Sequence, residues 1–278
     1  MCIRDRLKAL RDTPINRLSI GIQSFSEEDL RFMNRAHTAK ESRACLEKSL
    51  AMGFDNFTID LIYGTPTTDD ATWTKNLEIV KEYNIPHLSC YSLTVEEGTA
   101  LDAFIKKGKV KPLKDEQSIR HFEILQKFIE NSDYEQYEIS NFALPNCYAQ
   151  HNSNYWKGVS YLGIGPSAHS FNGESRQWNI AHNAQYLKAI QSGKINSTIE
   201  KLTPIQRYNE YVLTGIRTKW GCEMPKLIGL GDSFAAYFKK TVQTFLNDGT
   251  VLKENERYYL SKEGKLLADH IAMELFFE

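Results

Sequence analysis

The sequence predicts an α/β protein with a mainly parallel sheet, followed by a smaller module in which helices end in a two-stranded ribbon. Three observations predict it. Short strands alternate with helical runs through the first half, the pattern of βαβ units. Two polar side chains, Gln23 and Asp60, stand inside otherwise apolar strands. The C-terminal part carries helices and then two short strands around residues 251–260. An open sheet and a barrel both satisfy the first half, and in both the ligands gather at the carboxyl ends of the strands.

The elements follow in order. Leu7 to Arg11 reads as the tail of a helix, while Met1 to Arg6 fits no cap or strand. Residues 17–25 alternate, with Leu18, Ile20 and Ile22 on one face and Ser19, Gly21 and Gln23 on the other. Ser26 before Glu27, Glu28 and Asp29 is a helix start, with carboxylates in the first turn. Thr38 and Glu41 form a capping box that opens a helix to about Met52. Residues 56–63 are the second strand, ended by Gly64-Thr65-Pro66. Thr68 caps a helix over 69–82, and residues 87–93 form the third strand. A helix over 115–130 and a strand over 134–139 complete this half.

The second half changes character. Residues 145–180 are rich in Asn, Gly, Ser and aromatics. Gly163-Ile164-Gly165-Pro166 lacks the strand–turn–helix context of a dinucleotide fingerprint. Helices are predicted over 182–192, 204–218, 232–247 and 262–276, the last capped by Ser261, with strands at 251–252 and 257–260. The domain expectation is 1–180 and 181–278, the second winged-helix-like.

Composition excludes several classes. At 278 residues, 41% hydrophobic and 25% charged, the chain has the make-up of an ordinary globular protein. A net charge of -1 without a Lys/Arg run argues against nucleic acid as a partner. No apolar run reaches the roughly 18 residues of a spanning helix, and no signal-peptide pattern opens the chain. The five cysteines (2, 45, 90, 147 and 222) are odd in number and scattered, as in a reduced, cytoplasmic protein. They form no local cluster for zinc or iron–sulfur.

Two places carry candidate chemistry. The period of two puts Thr58, Asp60 and Ile62 on one face of the second strand. A carboxylate there needs a partner, either a ligand or a buried ion pair with Arg35 or Arg17. The second place is His151-Asn152-Ser153-Asn154-Tyr155-Trp156. It reads as a polar, turn-prone stretch that combines a metal-competent imidazole with two amphipathic aromatics. The plainer reading is a turn whose aromatics pack on a sheet.

The chain resembles the HemW family of radical S-adenosylmethionine (SAM) proteins, relatives of oxygen-independent coproporphyrinogen III oxidase regarded as haem chaperones. The matching stretches are RLSIGIQSF (17–25), Asn34-Arg35-Ala36-His37, TIDLIYGTP (58–66) and HLSCYSLTVEEGT (87–99). They continue with YEISNFALP (137–145), HNSNYW (151–156), YLGIGPSAHSF (161–171) and LSKEGKLLADHI (260–271). HNxxYW is the most specific, because it separates this branch from the true oxidases.

The resemblance implies an α/β fold, a partial (β/α) barrel followed by a small α+β C-terminal domain. It implies SAM contacts from Gln23, Arg35, Asp60 and Ile62, with Asp60 on the ribose hydroxyls and Arg35 on the methionyl carboxylate. It implies haem contacts from His151, Asn152, Tyr155 and Trp156, with His151 the candidate iron ligand. Cys147 is a lesser alternative, and His169 reads as a packed histidine. The family holds a [4Fe-4S] cluster through CxxxCxxC, and no such motif occurs in this sequence. The expectation is therefore a barrel missing its first strands, with the cluster present only in a longer parent and no SAM cleavage by this chain. The residues before Leu7 match no part of the family pattern. The implied function is haem delivery to an unspecified client in the cytoplasm or at the membrane surface. The alternatives are a coproporphyrinogen III oxidase and an inactive fragment.

Overall fold

The computed structural model describes residues 3–278, and Met1 and Cys2 lie outside the described residues. The chain forms two compact units, 1–148 and 149–278. The boundary expected at 180/181 falls inside the second unit.

In unit 1, helix α1 (Ile3–Arg11) precedes strand β1 (Leu18–Gln23). The helix begins at Ile3, so residues 3–6 belong to an element that the local sequence did not suggest. Helices α2 (Glu27–Phe32) and α3 (Ala39–Ala51) then lead to β2 (Phe57–Tyr63). Ser26 caps α2, and Thr38 with Glu41 closes the capping box of α3. Helix α4 (Asp70–Glu82) leads to β3 (His87–Ser92). Its cap is Asp69, whose side chain accepts from the Thr72 N–H, and not Thr68. Thr68 is buried and turned to the Thr65 hydroxyl at 2.6 Å instead.

Helices α5 (Ala100–Lys106) and α6 (Asp115–Glu130) come next, then β4 (Glu135–Glu138) and β5 (Asn141–Ala143). The sheet order is β1-β2-β3-β5-β4. The first three strands run parallel, in chain order, joined by helical crossovers. β5 then runs antiparallel to β3 and to β4.

One face of this sheet is apolar. Phe57, Ile59, Leu61 and Tyr63 of β2 pack with Leu46, Trp73, Leu77, Val80, Phe122 and Leu125 from α3, α4 and α6. Trp73 is fully buried and donates its indole N–H to the His121 carbonyl at 2.8 Å. The opposite face holds Gly21, Asp60, Ser89 and Asn141 at paired or neighbouring positions. The alternation read from sequence is thus a division between a packed side and a polar side.

Unit 2 opens with α7 (Gln150–Trp156) and continues with β6 (His169–Phe171), β7 (Ser175–Asn179), α8 (Asn183–Gln191) and β8 (Ser197–Lys201). The three strands form an antiparallel sheet, β6-β7-β8, which the sequence pattern did not predict. Gly163 explains one glycine: an added Cβ would stand 2.1 Å from the His169 carbonyl oxygen. Helix α9 (Pro204–Ile216), strand β9 (Cys222–Glu223), helices α10 (Met224–Leu230) and α11 (Asp232–Asn247), and strands β10 (Val251–Glu254) and β11 (Arg257–Leu260) follow. Their sheet order is β10-β11-β9. The last helical run starts as a 3-10 turn at Gly264–Leu267 before α12 (Ala268–Glu274). The Ser261 hydroxyl accepts from the Gly264 N–H as that turn begins. Among the described residues, no helix is long and apolar enough to cross a membrane.

Candidate functional site

The polar face of unit 1 is assembled around a missing side chain. Gly21 lies in β1, and a Cβ built there would stand 2.9 Å from Gln23 Nε2, 3.5 Å from Arg35 Nη2 and 3.9 Å from Asp60 Oδ2. Three of the four residues expected to contact SAM therefore converge on one small volume. Local geometry aims each of them. The β1–β2 register shifts between Ile20 and Gln23, and Gln23 adopts φ +69. A left-handed, non-glycine residue costs on the order of 1–3 kcal/mol, and such strain collects at functional sites. Asn34, at φ +53, ends α2, and the Arg35 N–H returns to the Leu30 carbonyl at 2.8 Å. That turn sends the guanidinium back to the sheet.

Asp60 sits mid-strand in β2, opposite Ser89 of β3. Burial pushes its carboxyl up, and Ser89 and the Arg35 guanidinium partly offset this. Of the two cations considered from sequence, Arg35 is the neighbour. Arg17 donates instead to the Thr58 hydroxyl. Ile62 lies one turn of the pleat further on and pairs in register with Tyr91.

Beside Asp60, polar groups cross the sheet. Thr58 Oγ1 lies 3.1 Å from His87 Nδ1, and His87 Nε2 lies 2.8 Å from the Tyr137 hydroxyl. Ser89 donates to Asn141 Oδ1 at 2.9 Å, and Asn141 Nδ2 donates to Glu138 at 2.7 Å. Burial, and then Arg17, push His87 down to about 3. Its imidazole is neutral at physiological pH.

In unit 2 the HNSNYW segment is a helix, α7, and not a turn. His151 and Tyr155 are therefore four apart on one helix face. His151 Nε2 lies 3.1 Å from the Tyr155 hydroxyl, with the rings edge to face at 4.9 Å. Tyr155 continues into Tyr161 at 4.7 Å and, through it, Phe171 at 6.2 Å. Asn152, Tyr155 and Trp156 line a groove of about 810 Å³, whose other walls include Arg207 and Tyr211 of α9 and Trp220. His151 is exposed and does not line the groove itself. The Trp156 Nε1 is buried without a hydrogen-bond partner.

Cys147 belongs to unit 1. His169, in β6, is exposed and stacks on Trp178 at 6.0 Å. Gly21, Ser89 and the α9 wall of the groove escaped the sequence reading. Only register and tertiary packing bring them to their sites, and no local motif marks them.

Comparison with known proteins places these features. Residues 1–80 match the Radical SAM superfamily. "Heme chaperone HemW" of Mycobacterium tuberculosis is 28% identical over 267 residues, covering 96% of this chain and 67% of that protein. The protein of the same name in Bacillus subtilis is 28% identical over 269 residues, covering 96% and 71%. The zebrafish "Radical S-adenosyl methionine domain-containing protein 1, mitochondrial" is 33% identical over 164 residues, 59% of this chain and 37% of that protein. The solved structure titled "Coproporphyrinogen III oxidase (HemN) from Escherichia coli is a Radical SAM enzyme" superimposes with a TM-score of 0.77 at 24% identity. It covers 98% of this chain and 67% of that one, and establishes a shared fold.

Proposed function

Because this chain is a HemW-type radical SAM protein, we propose that it binds haem through α7 for hand-over to a client protein, and that unit 1 holds SAM. The observation that carries the haem reading is helical: α7 brings the His151 imidazole and the Tyr155 phenol together beside an aromatic groove. A neutral imidazole nitrogen is a good iron ligand. His151 stands exposed, so a planar macrocycle reaches it without unfolding the helix. Trp156 and Tyr155 offer ring faces and edges to the porphyrin. The relatives named as haem chaperones favour this reading over porphyrinogen oxidation.

For SAM, the convergence of Gln23, Arg35 and Asp60 about Gly21 supports the reading. In this reading Asp60 accepts from the ribose hydroxyls, Arg35 answers the carboxylate, Gln23 adds a polar contact, and Ile62 flanks the adenine. The parallel strands β1–β3 are then part of a (β/α) barrel, and α9 to β11 form a winged-helix-like module. The described residues do not fit an iron–sulfur cluster. Cys90 and Cys222 are buried, and burial pushes their thiols up, that of Cys222 to about 12. Among the described residues, no group of three metal-binding side chains is close enough to hold an ion.

A titration of haem into the chain tests the proposal. Saturable binding with a shifted Soret band is expected, weakened about tenfold or more and spectrally altered in His151→Ala. An unchanged spectrum and affinity in that variant would exclude His151 as the ligand.

A further inference from the structure

The groove beside α7 is lined by a half-buried guanidinium whose Nε has no hydrogen-bond partner. Four cations line the groove: Lys157, Arg176, Arg207 and Lys226. Arg176 is paired with Glu210 at 2.9 Å, and Lys226 with Glu223 at 2.8 Å. Lys157 rests over the Trp220 ring at 4.3 Å. Arg207 differs from all three: its Nε is buried with no hydrogen-bond partner, and neither carboxylate of the groove turns to it. A buried donor left unpaired is costly unless an acceptor completes it. A guanidinium is complementary to a carboxylate in particular, through parallel N–H bonds.

Position supports the same conclusion. Arg207 lies in the first turns of α9, whose N-terminal dipole favours an anion nearby. The groove walls are aromatic, from Tyr155, Trp156, Tyr161 and Trp220. Trp156 lines the same groove, and its indole N–H is likewise buried without a partner. A ligand that suits these walls is flat, largely apolar and carboxylated at one edge.

We propose that the groove between α7 and α9 seats the propionate-bearing edge of haem, and that Arg207 receives a propionate carboxylate. This rests on the haem reading given above and deepens it. It gives α7 a division of labour: His151 is the iron ligand, and Tyr155 and Trp156 face the groove. Arg207 is a binding residue that fixes which edge of the macrocycle points inward.

Ester chemistry separates this inference from the reading beneath it. The full chain is titrated with ferric haem and with haem dimethyl ester, whose carboxylates are blocked, in the same detergent. Arg207→Gln is expected to weaken haem binding about tenfold or more, the scale of one charged hydrogen bond. It should leave ester binding and the Soret position unchanged. The wild type should itself bind the ester more weakly than haem by a similar factor. Arg207→Lys, which keeps the charge and loses the guanidinium fork, should fall between, and it decides the matter if circular dichroism shows Arg207→Gln to be misfolded. Equal weakening toward haem and ester, or none toward either, would overturn the role of Arg207 while leaving haem as the cargo. If the wild type shows no saturable haem binding, the cargo reading falls and this inference with it.

Discussion

Asp60 shows how a single carboxylate is set against its own fold. Its carboxyl is raised by burial, so the folded state holds the proton more tightly than the unfolded chain does. The sign follows from linkage. The stability this group adds is complete below the ordinary carboxylate range and is lost as pH rises through the folded value. Once ionised, Asp60 therefore opposes folding, and what it offers in return is two acceptor oxygens for a ligand. Asp60→Asn should accordingly melt at a higher temperature than the wild type at neutral pH, with the gap closing under acid conditions. The same variant should bind SAM about tenfold or more weakly, since an amide cannot accept at both positions. Differential scanning fluorimetry and equilibrium dialysis read the two effects. A variant that neither gains stability nor loses SAM would remove Asp60 from the site.

At the scale of the element, α7 is short and poorly begun. Its N-cap is Ala149, which makes no side-chain cap bond. Ala149→Ser should stabilise the helix by about 1 kcal/mol. Slower hydrogen exchange at the Tyr155 and Trp156 amides would report it, and unchanged exchange would mean that packing alone holds the helix. The missing cap also explains why the segment reads as a turn. His, Asn and Ser are indifferent helix formers, so the packing of buried Ser153 and half-buried Trp156 within unit 2 favours the helix more than propensity does. Other elements were legible because their signals are local. The Thr38–Glu41 capping box and the alternation in β2 need no knowledge of distant residues. The sheet β6-β7-β8 was not legible, since its strands, rich in Ser, Asn and Gln, owe their form to pairing rather than propensity. The same contrast divides the sites. Asp60 announces itself as a charge in an apolar strand, whereas Arg207 is one exposed-looking arginine among many until the groove forms around it.

Across the molecule, the sheet of unit 1 depends on a neutral histidine. His87 bridges Thr58 and Tyr137 across β2, β3 and the strand region of β4, and it is 1% exposed. Its pKa is depressed to about 3, so between 6.5 and about 3 the unfolded chain binds a proton that the folded one refuses. Stability is full above that window and falls on the order of several kcal/mol as pH drops through it. Urea midpoints of the wild type should decline through this window, and those of His87→Gln should decline less. Parallel curves for the two proteins would assign the acid sensitivity elsewhere. Because the group joins the parallel strands to the antiparallel pair, acid should loosen the sheet as a body rather than fray one edge.

Glycine in the interior of a strand weakens it, and Gly21 is not needed there for its backbone: its φ, unlike those of Gly53 and Gly64, lies outside the left-handed range. Alanine would be compatible with that conformation and would make a better strand. What alanine would add is crowding, for its methyl would stand 2.9 Å from Gln23 Nε2 and beside Arg35 and Asp60. A variant carrying that methyl would hold its own side chain in the space proposed for the nucleoside, a plug it cannot release.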